Sequence, residues 1–325
     1  MAGRRFALYF SWSRSKEAEA SLGTLENRFP TLFEFRRAIW PAYEQARDPA
    51  TYDQGIAGFL DHVILFDFRS FGDVMLSATG HRPVVIQREV GRDRANIQRR
   101  ELDDDLLSGI DTLIVVSLDH FQTAQQATSD EVDAIRRFTE REDACLIVCP
   151  HHDVGATDSD SQRKAEFSHH GDRLVPAQQR IGGFARTLLA QLELPIENRY
   201  GLHPAAAADG SPASLEVFPD LDELGALQGV STFNLHSHLP HLYIPPALDG
   251  QVRLLARQPI AAEASSHPFV EAGNRHFNAL IWAPPRGKRG ASIFVCDATL
   301  WSSAFGGEGN LVRFWKNLAH LSCRP

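Results

Sequence analysis

Short apolar runs recur along the chain and alternate with stretches of helical spacing. Phe6-Ala-Leu-Tyr-Phe10 predicts a first strand, and Leu60 to Asp67 and Pro83 to Ile86 predict two more. Asp111 to Val116 and Cys145 to Cys149 are nearly continuous aliphatic runs, the pattern of strands buried on both faces. Phe277 to Trp282 and Ala291 to Cys296 complete the set. Between them, Thr128-Ser-Asp-Glu131 has the spacing of a capping box, followed by Val132, Ile135 and Phe138 at helical intervals. From Pro176 to Leu194, the apolar positions Ile181, Phe184, Leu188 and Leu192 keep the same period. Gly182-Gly183 costs that helix about 1 kcal/mol per glycine relative to alanine, or marks a close contact. Asn310 is placed to cap a last helix with Leu311, Phe314, Trp315 and Leu318 on one face. Strands alternating with helices predict an α/β fold: one doubly wound, mostly parallel, flavodoxin-like sheet in a single domain spanning 1–325.

Two stretches break the rhythm. Gly155 to Arg173 is polar, and Pro204 to Leu227 carries an alanine run and scattered acids. Residues from about 150 to 245 therefore read as an elaborated, histidine-rich loop region inserted before the last strands. Long loops in compact domains usually carry function.

The histidines concentrate there. Eight of the fourteen fall between His151 and His241, seven of them in the clusters His151-His152-Asp153, His169-His170-Gly-Asp172 and His236-Ser-His238-Leu-Pro-His241. The first follows directly on the Cys145 to Cys149 strand, and ligands of open parallel sheets bind beyond the carboxyl ends of strands. Imidazole is both a metal ligand and a proton carrier near neutral pH. The expected metal ligands are His151, His169, His170, Asp172, His236 and His238, around zinc, iron or manganese with a coordination position left open. Asp153, His152 and His120 are the expected proton-handling residues. Adjacent histidines on extended backbone point to opposite faces, so one of each pair suffices. Two other readings stand beside this one: the imidazoles bind a ligand without metal, or they are ordinary exposed loop residues. Asp119 and Asp297 lie at strand ends on the same edge, where an aspartate orients a ligand or caps the next turn. The aromatic stretch Phe29 to Trp40 reads as core, pocket wall or contact face.

Charge narrows the partners. A net charge of −8 lacks the concentrated basic surface that nucleic acid requires. Neither a phosphate loop nor a dinucleotide fingerprint occurs, so no nucleotide cofactor is expected. No apolar stretch is long enough for a membrane helix, and the amino-terminal apolar run is too short for a secretory signal. Three of the four cysteines lie in strongly apolar, strand-like runs and read as buried free thiols of a reducing compartment, which makes the cytoplasm the expected location.

Leu106 to Val116, the capped helix from Asp130 to Arg141, and Asp143 to Cys149 together resemble the class I glutamine amidotransferase-like superfamily, its ThuA-like and transporter-auxiliary branches above all. Ile293 to Asp297, Gly309-Asn310 and the closing helix resemble the end of those auxiliary domains. The likeness covers about half the chain and rests on the rhythm of elements. It departs at the catalytic elbow: Ile147-Val-Cys149-Pro-His151 has neither glycine of the family's Gly-x-Cys-x-Gly turn, which a strained elbow needs. Cys149 is then a structural thiol, and a cysteine-based amidohydrolase requires it exposed instead. Cys149-Pro-His-His-Asp153 also resembles the Pro-His-Pro-Asp-Asp motif of zinc-dependent LmbE-like deacetylases, which implies a metal role for His151 and a catalytic one for Asp153. Val154 departs from it at a metal-binding aspartate.

The reading that results is a metal- or His/Asp-dependent hydrolase or lyase acting on a small polar molecule at the carboxyl edge of the sheet. Its competitor is a non-catalytic ligand-binding or assembly protein, as the auxiliary-domain resemblance implies, with a homo-oligomer or another protein as partner.

Overall fold

The computed structural model describes residues 3–13, 68–90, 98–119, 125–152, 182–236, 238–262 and 267–321. The expected strand at Leu60 to Asp67, the aromatic stretch at 29 to 40 and the loop from Gly155 to Arg173 lie outside them.

Eleven strands occur among the described residues: β1 (Phe6–Ser13), β2 (Val84–Val90), β3 (Gln98–Arg99), β4 (Thr112–Ser117), β5 (Cys145–Pro150), β6 (Glu197–Leu202), β7 (Glu216–Val217), β8 (Leu239–Tyr243), β9 (Arg253–Pro259), β10 (His276–Ala283) and β11 (Ser292–Cys296). Six helices accompany them: α1 (Arg69–Thr79), α2 (Asp104–Ser108), α3 (Ser129–Glu140), α4 (Gly183–Gln191), α5 (Pro268–Glu271) and α6 (Glu308–Ala319). Nine strands form one mixed sheet in the order β3-β2-β1-β4-β5-β11-β10-β9-β7, while β6 and β8 pair separately. β2, β1, β4, β5 and β11 run parallel. The margins are antiparallel: β3 on one side, and β10, β9 and β7 on the other.

The expectation of a mostly parallel sheet thus holds for the core of the sheet and not for its margins. The reason is local. β10 and β11 are joined by Pro284-Pro-Arg-Gly-Lys-Arg-Gly290, with Arg286 and Arg289 bridged across the turn. A loop this short can only reverse the chain, because a parallel return needs a crossover of roughly a dozen residues or more. The described part of the 150–245 region likewise carries α4, β6, β7 and β8 as well as loop.

Strand alternation divides the core. Phe6, Leu8, Phe10 and Trp12 join Phe71 and Met75 of α1 and Leu311, Phe314 and Trp315 of α6 in one cluster. Ala7 and Tyr9 join Val132, Ile135 and Phe138 of α3 and Phe184 and Leu188 of α4 in the other. Successive strand residues face opposite ways, so one apolar run supplies two layers.

The Thr128 capping box forms as the spacing predicts. Its Glu131 also pairs with Arg88 through two contacts of 2.9 and 3.0 Å and accepts from the Tyr9 hydroxyl at 2.7 Å. The last helix begins differently from expectation. Gly307, with φ +71°, is its N-cap, and a Cβ there would collide with the Phe233 carbonyl. Asn310 instead accepts from the Ser231 amide at 2.9 Å, tying α6 to the loop ahead of β8.

Candidate functional site

Two strand ends and one loop meet at the carboxyl edge of the parallel core. β5 ends at Pro150, and Pro cannot continue the ladder as a donor, so the chain leaves the sheet at His151-His152. β11 ends at Cys296 and presents Asp297. The loop after Phe233 brings in His236, held where the Leu235 amide donates to the Phe305 carbonyl at 2.9 Å.

His151, His152 and His236 converge, with their ligand nitrogens within 4.8 Å of one another. The rings of His151 and His152 lie 4.3 Å apart, and those of His151 and His236 lie 5.0 Å apart. His238 borders the trio at 5.4 Å from His152 and 5.8 Å from His236. His203, just past β6, lies 5.5 Å from His238 and extends the cluster. Both members of the first pair join the trio, just past the end of β5, where the expectation needed only one.

Asp297 orients the first of these rings. Its Oδ2 lies 2.9 Å from His151 Nδ1. Its Oδ1 accepts from the Thr299 amide at 2.8 Å and from the Thr299 hydroxyl. Burial opposes the charge of Asp297, but the nearby His151, His236 and Thr299 outweigh it and hold the carboxyl below its usual range. With Nδ1 of His151 committed to a carboxylate, Nε2 is the nitrogen left for a ligand. His236 is pushed down to about 3, first by burial and then by His151, against an opposing pull from Asp297. It is therefore neutral at physiological pH, the form that binds metal. Among the described residues its buried Nε2 has no hydrogen-bond partner, and a buried polar atom left unpaired calls for an explanation.

Gly182 lets this edge close. It has φ +83°, and a Cβ would lie 3.1 Å from the His151 amide nitrogen and from Pro150. The glycine pair therefore marks a close approach of α4 to the end of β5, one of the two readings the sequence allows. Nearby, the Asn198 side chain donates to the His151 carbonyl, and Arg186 holds Asn198 at 2.7 Å.

Of the expected site residues, His151, His152, His236 and His238 come together. His120, Asp153, His169, His170 and Asp172 lie outside the described residues. Asp119 is a cap: Ser11 and Ser117 donate to its Oδ1 at 2.6 and 2.5 Å, and the Phe184 amide of α4 donates to its Oδ2 at 3.0 Å. Cys149 is fully buried beneath Trp301, whose indole donates to its sulfur at 3.0 Å, and it lies 3.7 Å from the Cys296 sulfur. Buried sulfur so placed is not poised for nucleophilic attack. His203, Thr299 and Asn234 were not singled out by the sequence reading. No local signal marks the last two, and His203 stands alone before a proline.

No helix among the described residues is long and apolar enough to cross a membrane. No family model matches the chain, and no curated protein matches it. Among solved structures, one described as "mmIFT52 N-terminal domain" aligns with a TM-score of 0.44 and 9% identity, covering 76% of this chain and 86% of that one. A likeness so distant carries no argument about this chain.

Proposed function

We propose that His151, His152 and His236 hold a divalent metal of the zinc class, and that the protein is a metal-dependent hydrolase acting on a small polar molecule. The observation that carries this reading is the trio itself: three imidazoles with nitrogens within 4.8 Å, one of them buried without a hydrogen-bond partner. Tetrahedral zinc sites with nitrogen bonds of about 2.0–2.1 Å separate their nitrogens by roughly 3.4 Å, so a modest closure of the rings completes the set. The pairing of His151 with Asp297 adds the carboxylate that metal-bound histidines commonly use to fix ring orientation. Three protein ligands leave a position for water or substrate, as catalytic sites require. A bound ion supplies Lewis acidity and lowers the pKa of water. His238, next to the trio, is placed to carry a proton. The amidotransferase-like, doubly wound architecture is part of the same proposal; the parallel order β2-β1-β4-β5-β11 with helices against both faces supports it.

The test is metal content after loading the purified protein with zinc, manganese or iron(II), beside His151→Ala and His236→Ala. About one ion per chain, lost in both folded variants, is expected. A wild-type protein that retains no ion after desalting would overturn the reading. A chelator-sensitive turnover of small ester or amide substrates would establish hydrolysis, whereas stable metal without turnover would move the protein to a ligand-binding role.

A further inference from the structure

Two segments distant in sequence supply the centre: the Phe233 to His236 loop, and Asp297 with the turn behind it. Their relative position fixes the distance between His236 and His151. One side chain joins them.

Asn234 is fully buried. Its Oδ1 accepts from the His236 amide at 3.2 Å. Its Nδ2 donates to the Thr299 carbonyl at 2.9 Å and to the Thr299 hydroxyl at 3.0 Å. Thr299 in turn donates, through its amide and hydroxyl, to the Asp297 oxygen opposite the one that holds His151. The Asn234 backbone is pinned as well, its carbonyl accepting from Gln258 of β9 at 2.7 Å. A continuous path thus runs from the His236 backbone through Asn234, Thr299 and Asp297 to the His151 ring.

The chemistry of the position is specific. The group facing His236 must accept, and the group facing the Thr299 carbonyl must donate. Only a carboxamide offers both on one short planar unit. Aspartate has the same shape but sets a second oxygen against the Thr299 carbonyl. Alanine leaves the His236 amide without its acceptor and takes from the Thr299 carbonyl one of its two donors, the other being the Ser302 amide at 3.1 Å.

We propose that Asn234 is a positioning residue for the histidine centre, fixing the His236 segment against the Thr299–Asp297 pair that orients His151. The proposal rests on the metal reading for its functional consequence, while the geometry it asserts is testable without metal.

Two measurements separate the cases. In the metal-free protein, the His151 Nδ1 proton bonded to Asp297 is expected as a low-field imidazole resonance, identified by its loss in His151→Ala. Asn234→Asp should shift or broaden it. With cobalt(II) bound, the visible ligand-field bands should change in Asn234→Asp, and affinity should fall on the order of 10-fold, the lower end of what orienting partners contribute. Thr299→Val should act in the same direction, and Thr299→Ser should restore band shape and affinity to within about twofold of wild type. If Asn234→Asp does not fold, Thr299→Val reads the same path. An unchanged imidazole resonance and cobalt spectrum in either folded variant would overturn the proposal. A wild-type protein that binds no cobalt, yet whose imidazole resonance responds to Asn234→Asp, would sink the metal reading and leave the positioning role standing.

Discussion

Asp119 and Asp297 occupy equivalent places and do different work. Each follows a buried parallel strand at the same edge of the sheet, and each is at most 5% exposed. Asp119 meets two serine hydroxyls and the first turn of α4, where a carboxylate satisfies orphan amides and complements the helix dipole. Asp297 meets, besides the Thr299 amide and hydroxyl, the imidazole of His151, which clusters with two more imidazoles. The lesson is that position at the carboxyl edge does not make a site. A carboxylate wholly engaged by hydroxyls and amides is closed into the fold, whereas one that keeps an oxygen for an imidazole also orients a ring of the histidine cluster.

That contrast can be broken most forcefully at Asp119. Asp119→Ala strips two hydroxyls and a helix amide of their acceptor in a fully buried place, so a loss of roughly 3–5 kcal/mol is expected in denaturant unfolding. If the variant unfolds at the wild-type midpoint, the cap is not holding α4. A histidine outside both carboxylate groups provides the next test. His241 is held down to about 4, first by burial and then by Arg199 and Arg257, and its Nδ1 accepts from the Asn278 amide at 3.3 Å. Tyr200 and Phe269 cover its ring and bring no countercharge. Because the folded pKa lies below the ordinary 6.5, the unfolded chain takes up the proton first. The stability is complete above about pH 6.5, declines as the pH falls toward 4, and levels off below that. The difference between wild type and His241→Asn should therefore narrow by about 2–3 kcal/mol over this window. Parallel stability curves for the two proteins would refute the assignment.

Asp297→Asn sharpens the comparison from the other side. It should lower metal affinity by about 10–100-fold while costing less stability than Asp119→Ala, because asparagine keeps an oxygen for the Thr299 amide and hydroxyl and changes only the group that faces His151. Equal destabilisation by the two substitutions would erase the distinction drawn between them. The smallest effect is expected at Gly182→Ala, which places a Cβ in a left-handed conformation against Pro150 and His151. About 1–2 kcal/mol of stability should be lost, with a metal affinity reduced more than in Gly210→Ala, a left-handed glycine whose Cβ meets nothing within 4 Å.

The parts of the fold legible in the sequence were those whose burial is two-sided. β4 and β5 read directly because every residue in them is buried. β9 did not, because its apolar residues are flanked by Arg253 and Arg257, which lie over Trp282 and Phe218. An arginine covering an aromatic ring looks like a solvated position until the ring's place is known. β8 was hidden by Pro240, tolerated because this strand belongs to a two-stranded ribbon. At the site, His151 and His152 could be singled out by their adjacency and their place after a strand. Asn234 and Thr299 could not, since neither residue has a local pattern that announces a partner 65 positions away.

That separation has a consequence for biosynthesis. His151 emerges from the ribosome 146 residues ahead of the carboxylate that orients it, and His236 emerges between them. Loop closure over such spans follows the nearby helical contacts and does not precede them. The imidazole cluster is therefore assembled after β11 has been synthesised and inserted beside β5. Any ion is acquired by a fold that already holds β11 beside β5, and a chain stalled before Asp297 would display its histidines without the carboxylate that orients His151.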